Sequence, residues 1–246
     1  MGKYFSVTKK MPIAASKQHA AFGAGDVLVD WTAIEIPKGS ACLRSLAMLV
    51  RPKGDALPTD NNFGCDIVFS TTNTQSLGTV NSSVDHVPFP DTIGLIEITT
   101  GHYGINVFNS TVIATTNNNG DTENAGIPIV LTGNPTSGDN VGYDTIYVGI
   151  VASGNFDFTS INAVNETGFS AGAQTVITMD GSGMDVREHF APGDILHAQD
   201  DAVLGTLASA DSATQLTLTA ANTDAIAEDD IIYNLHPITL VLGFEK

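Results

Sequence analysis

The side chains able to do acid–base or metal chemistry are scattered along this chain. Its histidines are His19, His86, His102, His189, His197 and His236. None belongs to an HExxH or HxH pattern and no CxxC pair is present, so the sequence has no local zinc-site signature. The nearest approach to a nucleophilic serine motif is the DGSG run at 180–183, which lacks the leading glycine of GxSxG. We expect a turn there, no catalytic residue and no enzyme activity.

Carboxylates gather at three places where several oxygens could face one cation. These are Asp180 with Asp185, Asp200 with Asp201, and the run Glu228, Asp229 and Asp230. Calcium takes about six to eight oxygen ligands, and none of the three places follows the EF-hand order DxDxDG. Solvated turns are the simpler interpretation of these acids. We therefore expect no metal ion and no cofactor.

Charge is unevenly placed along the 246 residues. The chain has 10 basic and 27 acidic side chains, a formal net charge of -17 and a pI of about 4.3. Yet Lys3, Lys9, Lys10 and Lys17 all precede the first acid, Asp26. An acidic body repels phosphate backbones and anionic lipid, so we expect neither nucleic acid nor a membrane as partner. The basic N-terminal segment favours an acidic neighbour, another copy of the chain included; simple solubility is the alternative explanation of the acidic body.

Period-two hydrophobic patterns dominate and predict an all-β protein. Two sets of residues each fall on one face of a strand: Ile238, Leu240, Leu242 and Phe244 in one, and Val27, Val29, Trp31 and Ala33 in the other. Clusters of Gly, Asn, Asp and Pro separate the runs and supply the backbone angles of turns. Many short strands without long helical crossovers are typical of an antiparallel sandwich or barrel. We interpret Trp31 as a core residue, together with Ile34 and Ile36.

Helical patterns are few and short. The segment 16–23 predicts one turn, and the segment 184–190 predicts another that ends before Ala191-Pro192. A longer pattern over 219–230 predicts a short helix with Asn222 or Thr223 as its N-cap.

We divide the chain into three parts. Residues 1–25 form an N-terminal arm that is extended or partly ordered by a partner, residues 26–155 form an antiparallel β-sandwich, and residues 156–246 form a small β-barrel-like module. In the module, Pro192-Gly193-Asp194 predicts a tight turn and Gly205 a bulge or close backbone approach. The last strand, over 238–244, has the option of joining the first sheet and making one body of the two parts.

The two cysteines, Cys42 and Cys65, both lie in apolar runs that predict strands. Buried free thiols are the preferred interpretation, because a free cysteine behaves as a small apolar side chain. A single disulfide between them is the alternative.

Several turn-and-strand segments carry a family resemblance. They are DWTAIEIPKG at 30–39, FAPGDIL at 190–196, LGTL at 204–207, QLTLT at 215–219 and DDIIYN at 229–234. In this order, and over most of 26–246, they resemble virion structural proteins of tailed phages that infect marine bacteria and cyanobacteria. The resemblance implies a virion component that is made in the host cytoplasm, and it brings no catalytic signature.

Within that resemblance we favour a capsid decoration, or cement, protein. It would bind the outer surface of the head as a symmetric oligomer, a trimer or dimer, with the major capsid protein or another virion protein as its partner. A tail, neck or fibre-base component and a carbohydrate-binding module are the alternatives. The residues expected to bind the partner are Lys3, Tyr4, Phe5, Lys9, Lys10 and Met11. The aromatic side chains bury area and the lysines meet carboxylates.

Overall fold

The computed structural model describes residues 3–51, 63–86, 91–103, 112–115, 129–132, 134–135, 143–156, 158, 166–180 and 185–246. Within these ranges strands dominate, as the period-two patterns predict. The strands are β1 (Tyr4–Met11), β2 (Val27–Pro37), β3 (Ser40–Val50), β4 (Cys65–Ser70), β5 (Thr92–Ile98), β6 (Val112–Thr115), β7 (Ile129–Thr132), β8 (Asn134–Pro135), β9 (Tyr143–Ala152), β10 (Val176–Thr178), β11 (Ile195–Ala198), β12 (Val203–Ser212), β13 (Gln215–Leu218), β14 (Ile232–Asn234) and β15 (Ile238–Glu245).

The described helices are single turns. They are α1 (Ala15–Gln18), α2 (Val186–His189) and a 3-10 turn, Thr100–His102. Both α-helical turns lie where the sequence predicts them. The predicted helix over 219–230 is wrong, because side chains there bond to backbone groups of other loops. Asn222 is buried, accepts a hydrogen bond from Gln174 N at 2.8 Å and donates to Ser170 O at 2.9 Å. Such bonds compete with helix formation.

Two five-stranded antiparallel sheets form the sandwich. Sheet 1 has the order β1-β15-β3-β6, and β7 pairs with the first half of β3 while β6 pairs with the second half. Sheet 2 has the order β2-β9-β4-β5, with β8 on the far end of β9. The inward side chains of both sheets make one continuous apolar core. At its centre the Cys65 thiol of sheet 2 lies 3.8 Å from the Met48 sulfur of sheet 1.

The strand β15 confirms the predicted return of the C-terminal segment to the first sheet. It pairs with β3 on one side and with β1 on the other. Its inward residues, Ile238, Leu240, Leu242 and Phe244, are almost completely buried, which matches the predicted alternation. The last strand of the chain is therefore an inner strand of sheet 1.

The N-terminal segment is extended, as predicted, but its own chain orders it. All of β1 pairs in register with β15, from Tyr4 opposite Glu245 to Met11 opposite Ile238. The segment expected to reach for a neighbour is thus an edge strand of its own sandwich. Met11, Ile13 and Phe22 belong to the sandwich core.

The phase predicted for β2 is correct at its start and wrong after it. Irregularities in the pairing of β2 with β9 fall between Val27 and Thr32 and shift the alternation. Ile34 and Ile36 are buried as expected, but Ala33 is exposed and Trp31 is half-buried, outside the core cluster. The indole of Trp31 packs beside Gly149 on the outer face of sheet 2 and donates to Gln75 O at 2.8 Å.

The C-terminal module is an open sheet with a core of its own. Its strand order is β10-β13-β12-β11-β14, and among the described residues no pairing closes it into the expected barrel. The predicted turn at Pro192-Gly193-Asp194 is present, with Gly193 at a φ of +88°. Gly205 has a φ of +144° and faces Leu196, directly before a register shift, so the predicted bulge is confirmed.

Both cysteines are free. Cys65 is completely buried, as predicted, whereas Cys42 is only half-buried. Burial raises the pKa of the Cys65 thiol above its ordinary value, which keeps that group neutral.

Removing buried volume from β15 is expected to destabilise the whole sandwich. Leu242→Ala empties a fully buried site between sheets 1 and 2, and we expect it to lower the free energy of unfolding by about 3 kcal/mol. Val241→Ala on the other face of the same strand is the matched control, with an expected loss of about 1 kcal/mol or less. Equal losses in urea unfolding would contradict the placement of β15.

Candidate interaction site

The six residues expected to bind a partner lie on or beside one strand, but on two faces. Val7 and Lys9 are half-buried on the inward face of β1, and Met11 on that face is completely buried. Phe5 is on the same face and stacks on Phe244 with ring centroids 5.1 Å apart. These contacts explain why an apparently free segment docks on its own sandwich.

The outward face of β1 is the accessible one. Tyr4 is 75% exposed and is the most exposed large apolar side chain among the described residues. Its hydroxyl donates to Glu245 Oε1 at 3.1 Å, which leaves the ring in solvent. Lys3 and Lys10 are also exposed. Met11 therefore packs in the core, whereas Tyr4, Lys3 and Lys10 remain available to a partner.

The backbone of β1 has one occupied side and one open side. Lys3 N–H donates to Lys246 O at 3.0 Å, and Lys246 N–H donates to Lys3 O at 2.9 Å. In an antiparallel ladder such mutual pairs recur every second residue. The residues that bond to β15 are therefore Phe5, Val7, Lys9 and Met11. The N–H and C=O groups that point away from β15 belong to Tyr4, Ser6, Thr8 and Lys10. Within the described part of the chain, no strand pairs with this side of β1.

An ion-pair cluster connects the end of β1 to the C-terminal module. Asp194, whose side chain is 2% exposed, accepts from Ala191 N at 2.9 Å and from the guanidinium of Arg51. The Lys10 ammonium lies 4.0 Å from the same carboxylate. Nearby, burial and the charge of Lys10 lower the pKa of His236. The sequence placed Asp194 in a turn and gave no signal for its pairing with Arg51, because the two are far apart along the chain.

The segment after β1 is bonded to both cores. Ile13 N–H donates to Leu235 O at 2.8 Å, and the buried Gln18 side chain donates to Asn234 O at 2.8 Å. Farther along, Phe22 exchanges two backbone hydrogen bonds with Phe156, at 2.7 and 3.0 Å. The position of β1 is therefore fixed at its C-terminal end, which makes its open side a rigid, preformed edge.

The acids of the predicted clusters accept hydrogen bonds from backbone N–H groups. Asp201 accepts from Ser16 N at 2.8 Å, Asp200 from Ala202 N at 3.1 Å, and Asp230 from Ala227 N at 2.9 Å. Asp185 is the N-cap of α2 and pairs with Arg187, which lowers the pKa of Asp185. Among the described residues, no three His, Cys, Asp or Glu side chains are grouped so that they could hold a metal ion. Residues 181–183 of the DGSG run lie outside the described part.

The histidines serve separate local roles. The His19 Nδ1 lies 2.8 Å from the Tyr233 hydroxyl, the His197 Nδ1 lies 3.1 Å from Asp201 O, and His102 bonds to the backbone of Thr99. His189 is buried, and its Nδ1 has no hydrogen-bond partner among the described residues. Burial lowers the pKa of His189 to about 4, against a smaller opposite effect of the Asp185 charge.

A shallow cleft of about 160 Å³ lies beside β10 in the C-terminal module. Its lining residues are Thr167, Gly168, Phe169, Gln174, Val176 and Thr178. Phe169 is the one aromatic residue of this lining, and it is half-buried against the module core. The cleft thus offers a poor platform for stacking a sugar ring.

Comparison of the chain with protein-family models, curated proteins and solved structures finds no match. Over the described residues, none of the helices has the length and apolar character needed to cross a bilayer.

The ion pair of Asp194 is expected to contribute to stability well beyond an exposed pair. Asp194→Asn leaves Arg51 without its carboxylate in a half-buried place, and we expect a loss of about 2 kcal/mol in the free energy of unfolding. Asp185→Asn is the control, since asparagine keeps the N-cap and only an exposed pair with Arg187 is lost. The control should cost less than about 1 kcal/mol. Similar losses of the free energy of unfolding for the two variants in chemical denaturation would contradict a stabilising buried ion pair at Asp194.

His189 is expected to make the protein less stable in acid. Its pKa is about 4 when folded against an ordinary value of 6.5, so the unfolded chain binds more protons between these values. Stability should therefore fall as the pH drops from 6.5 to 4, by on the order of 2 kcal/mol from this group. His189→Leu should remove that part of the slope, and His86→Leu at an exposed position should not. Denaturation curves at pH 6.5 and pH 4 measure this change in stability. An unchanged pH dependence in His189→Leu would contradict the role of His189.

Proposed function

We propose that this chain is a structural protein of a tailed-phage virion, bound to the outer surface of the head as a decoration protein in symmetric oligomers. The observation that carries the proposal is the strand β1, an open and rigid edge that presents Tyr4, Lys3 and Lys10 on an otherwise acidic body. Exposed strand edges are sites of β-strand addition by another chain. The resemblance of the turn-and-strand segments to virion proteins supports the same role.

The distribution of charge fits a protein that is added to the outside of a shell. Strongly acidic proteins are held away from nucleic acid, and their repulsion keeps particles apart in solution. A basic edge on such a body guides approach to acidic surfaces, while apolar and backbone contacts provide affinity. The partners in this proposal are the major capsid protein, or another virion protein, and further copies of the chain itself.

The buried contacts of the described residues favour a structural role that requires a rigid body. The sandwich and the C-terminal module are connected through the segment 12–22, which contributes to both cores, and through the pair of Asp194 with Arg51. A body held at several points by buried contacts suits a protein that must keep its shape on a particle. A tail, neck or fibre-base component would use the same properties, and copy number distinguishes it from a decoration protein.

The test is the number of copies on washed particles of the phage that encodes the chain. Quantitative mass spectrometry should find a stoichiometry close to that of the major capsid protein, because a decoration protein covers the whole head. A few dozen copies would instead place it on the tail, and absence from infectious particles would refute a virion role.

A variant of β1 should lower the occupancy of the shell. Replacing Tyr4 and Lys10 by serine removes the exposed ring and one charge of the edge, and loss of multivalent attachment should reduce retention about tenfold or more. Lys17→Ser is the control, because it removes a lysine of the same N-terminal segment but leaves β1 intact. Retention of both variants at the wild-type level would contradict a role of the edge.

A further inference from the structure

We propose that the open side of β1 pairs with β1 of a second copy, antiparallel about a twofold axis, so that two five-stranded sheets become one. This pairing would be the contact within the symmetric oligomer, so its biological setting rests on the proposed function. The contact itself is a property of the isolated chain. It is argued from the hydrogen-bond pattern and the side-chain order of β1.

The hydrogen-bond pattern allows few registers. The groups available to a second strand are the N–H and C=O of Tyr4, Ser6, Thr8 and Lys10, because the alternate residues bond to β15. Antiparallel pairing about a twofold axis at Val7 places Tyr4 opposite Lys10 and Ser6 opposite Thr8. This register uses all the outward groups of the strand. Moving the register by two residues in either direction places one outward residue opposite a position beyond the strand. In one direction Tyr4 would lie opposite Pro12, which has no N–H, and in the other Lys10 would lie opposite position 2.

The side chains are self-complementary in this register. On the outward face the exposed ring of Tyr4 meets Lys10 of the second copy, and on the inward face Phe5 meets its Lys9. Each is an aromatic ring opposite a cation, which attract one another. Val7 meets Val7 of the second copy on the axis, where the side chains of a non-hydrogen-bonded pair are close.

The same order opposes other arrangements. Parallel pairing in register would place Lys9 and Lys10 beside the same residues of the second copy, and like charges directly opposite destabilise a sheet. Lysines on an edge normally discourage pairing, but here they lie at one end of β1 and the aromatic residues at the other. Only a reversed second strand brings the two ends together. The strand β1 could also pair with β5 of another copy, since β5 is an edge strand of sheet 2. Such a contact joins two different surfaces and does not form a closed dimer, so it would produce longer chains of molecules.

A proline at an outward position tests the contact without breaking the fold. Proline is tolerated on an edge strand where its missing N–H faced solvent, so Thr8→Pro removes an outward donor and leaves the ladder to β15 intact. Sedimentation should give the wild type twice the 25.7 kDa monomer mass. Thr8→Pro should dissociate about 100-fold more readily, and Thr8→Val should remain dimeric. Circular dichroism and thermal unfolding confirm that each variant is folded.

Cysteine substitutions test the register independently of any loss of folding. Residues at position 7 would face each other across the axis at a Cα separation of about 4.5 Å, which suits a disulfide. Residues at position 8 would be offset by two positions along the strand, beyond the reach of about 7 Å. Val7→Cys should therefore form a covalent dimer under mild oxidation, whereas Thr8→Cys and the wild type with its native cysteines should not.

The outcomes separate this contact from the proposed function. A monomeric wild type, a mass above twice the monomer, a Thr8→Pro variant that stays dimeric, or cross-linking through position 8 in preference to position 7 would each overturn the pairing. None of these results concerns the virion. Conversely, a dimer with the predicted cross-link that is absent from washed particles would refute the virion role and leave the pairing intact.

Discussion

The position of β15 in the middle of sheet 1 is the constraint on which the rest of the structure depends. Its inward side chains are buried against sheet 2, and both of its backbone edges are occupied by β3 and β1. Alternate apolar residues are stable on a strand whose face is covered by a second layer, and neighbouring strands on both sides satisfy the backbone groups of such a strand. The N-terminal strand therefore has a structural role before it has any other: it covers the edge of β15.

That role explains how one strand can belong to the fold and still leave one backbone edge open. The inward face of β1, with Phe5, Val7 and Met11, is committed to the sandwich. Ser6 and Thr8 on the outward face and the open backbone edge are not. The ion pair of Arg51 with Asp194, joined by Lys10, fixes the end of β1 against the C-terminal module. Ordering the strand in advance means that association does not have to supply its conformational entropy.

The sequence predicts those features that depend on neighbouring residues. The alternation of β15, the turn at Gly193, the bulge at Gly205 and the two helical turns follow from periodicity and from the backbone needs of glycine and proline. Local patterns do not show which distant segment a strand pairs with. The sequence therefore identified the N-terminal segment as extended and basic but not as the neighbour of β15. For the same reason it gave no indication of the pair of Arg51 with Asp194.

Two local predictions are wrong because contacts with distant segments of the chain outweigh the local pattern. The pattern over 219–230 has helix-forming spacing, but the buried Asn222 bonds to the backbone of the 170–174 loop and Asp229 takes a φ of +67°. The alternation of β2 places Trp31 with Val27 and Val29, but register shifts against β9 turn it toward the outer face. Bulges of this kind change the phase of every residue that follows, and no local composition marks them.

The separation of β1 from β15 in the chain has a consequence for biosynthesis. Because β1 precedes β15 by more than two hundred residues, β1 stays without its partner strand while the intervening part of the chain is synthesised. Chains on one messenger are close together at that stage, so the unpaired β1 segments of adjacent nascent chains are near one another. The pairing proposed above would then be open to neighbouring nascent chains on one polysome, before either sandwich has closed.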